Sequence, residues 1–203
     1  MVGKITLTYF NGQGRAEVAR IILNYSGQEF NDVRVSFDKE WPLIKEQQPF
    51  KQLPVLEVDG VQIAQARAFE LLLAQRFHLV GKNDVEAALN LQYVLAIDDV
   101  QANGKSMFYE KDAEKKKELF KVYAAEHVTP FLKLVTQFLA KNGHGHLVGS
   151  EISYADISLY QYLWGLINRN GFVIEGAINE FYHKIGNTPK IKKYIESRPK
   201  TDF

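Results

Sequence analysis

Hydrophobic and polar positions change rhythm once along this chain, near residue 80. Before that point the period keeps switching. ITLTYF (5–10) alternates, with Ile5, Leu7 and Tyr9 on one face and Thr6, Thr8 and Phe10 on the other, which predicts a strand. RAEVARIILNYSG (15–27) places Ala16, Ala19, Ile22 and Leu23 on one side of a helix, with Gly27 positioned to end it. FNDVRV (30–35) returns to strand and completes a β-α-β unit of a size that favours parallel strands. Two alternating runs then flank Asp59-Gly60 within PVLEVDGVQIAQ (54–65), a hairpin pattern because both turn residues tolerate positive φ. ARAFELLLAQRF (66–77) closes this half as a helix.

Beyond residue 84 the period is helical almost throughout. NDVEAALNLQYVLAIDDVQAN, DAEKKKELFKVYAAEHVTPFLKLVTQFLAKN and SYADISLYQYLWGLINRN are interrupted only by Gly, Asn and Pro. LVGKNDVEA (79–87) carries a Gly-Lys-Asn-Asp turn whose Asn83 or Asp84 suits a helix N-cap. Ser153 and Asp156 have capping-box spacing, with Asp in place of the usual Glu or Gln, and read as structural. Trp164, Tyr160, Tyr162 and the five histidines read as core or surface groups. The predicted architecture is an α/β domain of βαβ-ββα order over residues 1–81, followed by an all-α helical bundle over 83–203.

Composition narrows the function. The 203 residues fit one large domain or two small ones, and 46% hydrophobic content supports a true core. Net charge is +1 with both signs interspersed, so neither nucleic acid nor an anionic membrane is an expected partner. The basic stretch KDAEKKKELFK (111–121) alternates with acids and reads as a solvated helix face. With no cysteine, disulfides, thiolate metal sites and a protein-borne thiol nucleophile are excluded. No apolar stretch approaches the ~18–20 residues that span a bilayer. MVGKITLTYF (1–10) reads as strand and lacks the apolar core and cleavage site of a secretory signal, so a cytoplasmic protein is expected.

The βαβ-ββα order, with Leu53-Pro54 before the hairpin, resembles a thioredoxin fold. A redox member would carry Cys-x-x-Cys at the first helix, whereas Tyr9 and a glycine-containing turn stand there. Any sulfur chemistry must therefore come with the ligand. By strand position alone, Tyr9 is either a core aromatic or a hydroxyl aimed at an anion.

At larger scale the chain resembles a cytosolic glutathione transferase over nearly its whole length. The motifs that carry the resemblance are YFNGQGRAE (9–17), WPLIK (41–45), QLPVLEVDG (52–60), QARAFELLLA (65–74), AIDDV (96–100) and LVGSEISYADISL (147–159). Several motifs in one order at one spacing are far more specific than any one of them. The tyrosine-type first motif is similar to the sigma, alpha, mu and pi branch, most of all to sigma or alpha. The resemblance implies a homodimer that binds glutathione in the first domain and a small hydrophobic electrophile beside it.

It further implies that Tyr9 stabilises the glutathione thiolate. A cysteine-type thiol titrates near pH ~8.5, and lowering that by about two units takes about 2.7 kcal/mol of preference for the thiolate. One hydrogen bond to a charged group contributes roughly 1.5–3 kcal/mol, so a single hydroxyl suffices. Arg15 is implied as electrostatic support at a helix start, where the macrodipole alone favours an acid. Relatives often carry a further arginine where this chain has Gln13.

Trp41 and Lys45 lie four apart and both only donate, as an anionic carboxylate requires, and the resemblance assigns them to the glycine end of glutathione. It implies a cis Leu53-Pro54 bond that frees the Leu53 backbone to pair with the tripeptide, and a polar side chain from Gln52. About 5–6% of X-Pro bonds in folded proteins are cis, so trans is the ordinary expectation. Gln65-Ala66 opens the helix after the hairpin, where a γ-glutamyl carboxylate meets free amides. Relatives usually read Gln-Ser there. Asp99 is implied to reach the ligand's α-amino group from the partner subunit. Leu95 stands where some sigma relatives carry a further acid, so no metal is expected.

The electrophile pocket is expected to draw on Phe10, Gly14, Met107 and Tyr109. The reading is a transferase joining glutathione to apolar electrophiles in detoxification. Its alternatives are a sigma-like glutathione-dependent isomerase or peroxidase, and a non-enzymatic ligand-binding or structural relative.

Overall fold

A computed structural model describes residues 4–201. Strands β1 (Ile5–Phe10), β2 (Asn31–Val35), β3 (Val55–Val58) and β4 (Val61–Ala64) form one sheet in the order β2-β1-β3-β4. Helix α1 (Glu17–Ser26) makes the crossover between the parallel pair β1 and β2, and the remaining pairs are antiparallel. The hairpin turns at Asp59-Gly60, both at positive φ. A short helix α2 (Trp41–Ile44) follows β2, and α3 (Ala66–Arg76) follows β4. This is the expected βαβ-ββα order of a thioredoxin-like domain.

Alternation explains the core. Ile5 and Leu7 of β1, Leu56 of β3, Ile21, Ile22 and Leu23 of α1, and Phe69 and Leu73 of α3 are all essentially sealed from solvent. Each such side chain stabilises the fold by about 1.5–3 kcal/mol relative to exposure. Gly27 ends α1 in the left-handed conformation, as its position in the sequence predicts.

The helical part comprises α4 (Asp84–Asn103), α5 (Lys105–Tyr109), α6 (Ala113–Tyr123), α7 (Thr129–Asn142), α8 (Tyr154–Asn170), α9 (Gly176–Gly186) and α10 (Pro189–Ser197). Helices α6 and α7 run on through a π-helical turn at Ala124–Val128. Pro130 stands two residues beyond it, and its ring cannot sit over the carbonyl four residues back in a regular α-helix; a widened turn relieves that clash.

By packing, the chain forms two compact units: residues up to His78 together with those from Asn187 onward, and Leu79–Gly186. The sequence reading placed 83–203 in one helical domain. The difference is α10, whose Tyr194 and the following Arg198 bond to Glu17 of α1 across most of the chain's length.

Within the second unit, α8 is buried along most of its first half and packs against α4. Its capping box forms: the Ser153 hydroxyl faces the Asp156 N–H, and the Asp156 carboxylate accepts from the Ser153 N–H at 2.9 Å. Asp156 also accepts from the Leu147 N–H at 2.8 Å and lies 3.1 Å from His146 Nδ1. The Asn90 side chain of α4 accepts from the Ala155 N–H at 3.0 Å. Asp156 thus joins a helix cap to the preceding loop.

Ser153→Ala is expected to cost about 1 kcal/mol, the usual effect of losing an N-cap hydroxyl. Asp156→Ala leaves several buried donors unpaired and is expected to cost roughly 3 kcal/mol or more. Urea unfolding of the two variants checks this; equal losses would show that Asp156 acts as a cap only.

Candidate active site

The sheet register gathers the first-unit candidates at one end. Thr8 pairs with Val55, Val55 with Ala64, and Phe10 with Val35. The C-terminal ends of β1, β2 and β4 and the N-terminal end of β3 therefore share an edge of the domain. Tyr9 and Phe10, the Leu53-Pro54 bond, Gln65, and the segment leading to Trp41 all sit there. Because β1 and β2 are parallel while β3 and β4 run antiparallel to each other, chain positions far apart converge.

Tyr9 is half-buried on β1. Its hydroxyl lies directly over Gly14, the first residue of a single 3-10 turn Gly14–Ala16 that leads into α1. A β-carbon at Gly14 falls 2.5 Å from the Tyr9 oxygen, and Gly14 has φ +40. Both constraints demand glycine. Among the described residues the Tyr9 hydroxyl makes no hydrogen bond, and it is not sealed from solvent. It is an available donor at the start of a helix.

The turn between Tyr9 and Gly14 is held from several sides. The Asn11 N–H donates to the Val35 carbonyl at 3.3 Å and the Gly12 N–H to the Phe10 carbonyl at 2.7 Å. Arg20, fully buried on α1, donates through Nη1 to the Gly12 carbonyl at 2.6 Å and to Glu17 at 3.1 Å, and through Nε to Asp32 at 2.9 Å. Its guanidinium carbon stands 6.0 Å from the centre of the Tyr9 ring. Burial weakens the charge on Arg20, but Asp32 and Glu17 more than restore it, so its pKa ends above the ordinary value.

Arg15 is exposed on the 3-10 turn, and Gln13 is buried beside it. Phe10 bridges Tyr9 to the next group of candidates: its ring lies 5.6 Å from Tyr9, 5.5 Å edge-on to Trp41 and 5.4 Å from Phe37. Trp41 opens α2 and is half-buried, while Lys45, one turn on, is exposed. Gln52 is exposed. The Leu53-Pro54 bond is cis, and among the described residues the Leu53 backbone makes no hydrogen bond.

Gln65 has φ +69 and ψ +108, a conformation that costs a non-glycine residue about 1–3 kcal/mol. Ala66, buried, is the first residue of α3, so its N–H is one of the four amides without a partner inside the helix.

In the second unit, Asp99 is exposed on α4, Met107 is half-buried and Tyr109 exposed on α5. Among the described residues no group of three or more His, Asp or Glu side chains is placed to hold a metal ion, and no helix is long and apolar enough to cross a membrane.

Sequence reasoning missed Phe37 and the Glu17–Arg20–Asp32 group. The sequence offers only Glu17 and Arg20 as opposite charges at i, i+3; the structure buries all of 17–23, so the two charges are paired inside.

A family model described as "Glutathione S-transferase, N-terminal domain" matches residues 5–69, and one described as "Glutathione S-transferase, C-terminal domain" matches 98–198. Probable glutathione S-transferase 5 of Caenorhabditis elegans is 38% identical over 207 residues, covering 97% of this chain and 98% of that protein. The structure of a Nu-class enzyme from Haemonchus contortus superimposes with a TM-score of 0.87 at 32% identity over the full length of both chains. A monomeric glutathione S-transferase from the hookworm Necator americanus gives 0.86 at 34% identity, over 98% of this chain and 100% of its own.

A thioredoxin-like domain with a helical domain after it, matched along its length by such relatives, defines a transferase enzyme. The chain belongs to the glutathione S-transferase family.

Gly14→Ala is expected to push the Tyr9 ring outward and to lower stability, whereas Gly143→Ala, at φ +74 with nothing within 4 Å, adds backbone strain alone. A crystal structure of each variant checks this; an unmoved Tyr9 ring in Gly14→Ala overturns it.

Proposed function

We propose that the shared end of the sheet binds glutathione and that the Tyr9 hydroxyl donates a hydrogen bond to its thiolate sulfur. The thiolate then attacks an electrophilic carbon of a small apolar compound. One observation carries this reading: a tyrosine hydroxyl without a hydrogen-bond partner among the described residues, set over a glycine at the entrance to a helix. In a chain without cysteine, the nucleophilic sulfur comes with glutathione.

Dimensions support the same placement. The strands β1, β3 and β4 span two inter-strand spacings, about 10 Å, and an extended tripeptide covers about the same distance. Sulfur sits at Tyr9. The Leu53 N–H and C=O pair with the cysteinyl backbone, as a short added strand. Trp41 and Lys45 donate to the glycine carboxylate, with Gln52 close by. The γ-glutamyl carboxylate meets Gln65 and the Ala66 N–H at the start of α3, where amides and macrodipole both favour an anion. Arg15 adds positive potential, and Phe10 and Gly14 offer the electrophile an apolar surface.

We assign the chain to the tyrosine-type branch of the family and its place of action to the cytoplasm. Asp99, exposed in the protomer, serves the α-amino group of glutathione in a homodimer partner.

Tyr9→Phe is expected to lose roughly tenfold or more in turnover of glutathione with 1-chloro-2,4-dinitrobenzene at neutral pH, and to recover as pH rises. The sign follows from the chemistry: without the donor the thiol pKa returns upward by about one to two units. An unchanged pH–rate profile sinks the assignment.

Ala66→Ser restores a hydroxyl beside the γ-glutamyl carboxylate and is expected to lower KM for glutathione by about tenfold. No change in KM would place that carboxylate elsewhere.

A further inference from the structure

Between Tyr9 and Gly14 the chain is gripped by a connected set of charged and polar groups. Asp32 accepts from Arg20 Nε at 2.9 Å with one oxygen and from Arg34 Nε at 2.9 Å with the other. Arg34 reaches back to the Asn11 side chain at 3.4 Å, and Arg20 reaches the Gly12 carbonyl at 2.6 Å. Both ends of this set therefore land on the turn that carries Gly14 beneath the Tyr9 hydroxyl. A third arm leads away from it. Glu17 bonds Arg20 with one oxygen, and with the other accepts from Arg198 Nη1 at 2.7 Å and from the Tyr194 hydroxyl at 2.8 Å.

Glu17, Arg20 and Arg198 are buried, so their contacts are dry and geometrically demanding. The Tyr194 phenol is pushed above its ordinary range, first by burial and then by Glu17, so it remains a neutral donor. Buried ionic groups contribute little net stability once desolvation is counted, and in some proteins their role is to specify one arrangement. The arrangement specified here is the distance between a strand end and a helix start.

We propose that Tyr194 and Arg198, in the C-terminal segment, are positioning residues for the reaction. Through Glu17 and Arg20 they fix the Gly12 carbonyl, and with it the aim of the Tyr9 hydroxyl at the glutathione sulfur. Neither touches substrate. Loosening either lets the Asn11–Gly14 turn relax, and the hydroxyl meets the sulfur at poorer distance and angle. The thiolate then loses part of its preference while the backbone and carboxylate contacts to glutathione stay in place. This inference rests on the role proposed above for Tyr9.

The test uses the full-length protein with Tyr194→Phe and Arg198→Gln, each of which removes one donor to Glu17, and with Arg198→Lys, which keeps a charged one. The ultraviolet absorbance of the bound thiolate is titrated against pH, alongside kcat, KM for glutathione and the thermal midpoint.

Tyr194→Phe and Arg198→Gln are expected to raise the titration midpoint by about half a unit and to lower kcat roughly threefold at neutral pH. KM for glutathione stays within about twofold, and the rate returns in alkali. Arg198→Lys falls between these and the wild type.

A lower thermal midpoint with an unmoved titration overturns the proposal and leaves a purely structural role. Should Arg198→Gln fail to fold, Tyr194→Phe alone decides, because it removes a single hydroxyl. Tyr9→Phe is measured beside them. If it shifts the titration and Tyr194→Phe does not, only the present inference falls. If Tyr9→Phe leaves the titration unmoved, both readings fall.

Discussion

The geometry of the junction between β1 and α1 depends on one buried guanidinium. Arg20 has no exposure to water, and bringing a cation into such a place is costly unless carboxylates and carbonyls surround it. Glu17, Asp32 and the Gly12 carbonyl meet that requirement from the same helix, from strand β2 and from the turn after β1. Three chain segments that share no sequence pattern are thereby forced into register. Replacing the group with apolar residues of equal volume need not destabilise the domain, but it would release the turn. What the charge provides is a single geometry at the point where β1 becomes α1.

That point is also where the proposed chemistry sits. The thioredoxin-like order places a helix start beside a strand end, and here the junction carries a tyrosine hydroxyl over Gly14 instead of a thiol pair. Glycine does two things there. It permits φ +40, and by lacking a β-carbon it leaves room for the phenolic oxygen. The aromatic contacts from Tyr9 through Phe10 to Trp41 then tie the hydroxyl to the segment after β2. The alignment of strand ends matters as much. Without the antiparallel β1–β3 and β3–β4 pairs, Leu53, Gln65 and Tyr9 would not share an edge.

Most of this fold can be read from pattern. Alternation in ITLTYF, helical spacing after Arg15 and the Asp59-Gly60 turn each report a local backbone preference, and each element appears close to where the period predicts it. The spacing of Ser153 and Asp156 likewise gives a cap that forms. Local rules could not show that α10 returns to α1, because the bonds from Tyr194 and Arg198 to Glu17 join residues about 180 positions apart. Nor could they show the π-helical turn, which arises from Pro130 meeting a helix that packing keeps continuous. The candidate residues at the sheet end were legible through their resemblance to a family. Arg20, which holds the turn beneath them, was hidden in a stretch that reads only as amphipathic helix.

The junction between β4 and α3 sharpens the chemical picture. Strand β4 ends at Ala64 and α3 begins at Ala66, so Gln65 alone makes the change from strand to helix. It does so with φ +69, a region where glycine would sit without strain. A glutamine held there at a cost of about 1–3 kcal/mol is explained if its exposed amide is needed at the sheet end. Ala66, next in line, presents an N–H but no hydroxyl. In the proposed site the side chain that binds and the backbone that turns are the same residue, and the helix-start amides stand ready without a hydroxyl donor beside them. The proposed carboxylate contact thereby follows the local backbone, and so the packing of Phe69 and Leu73 that holds α3 in place.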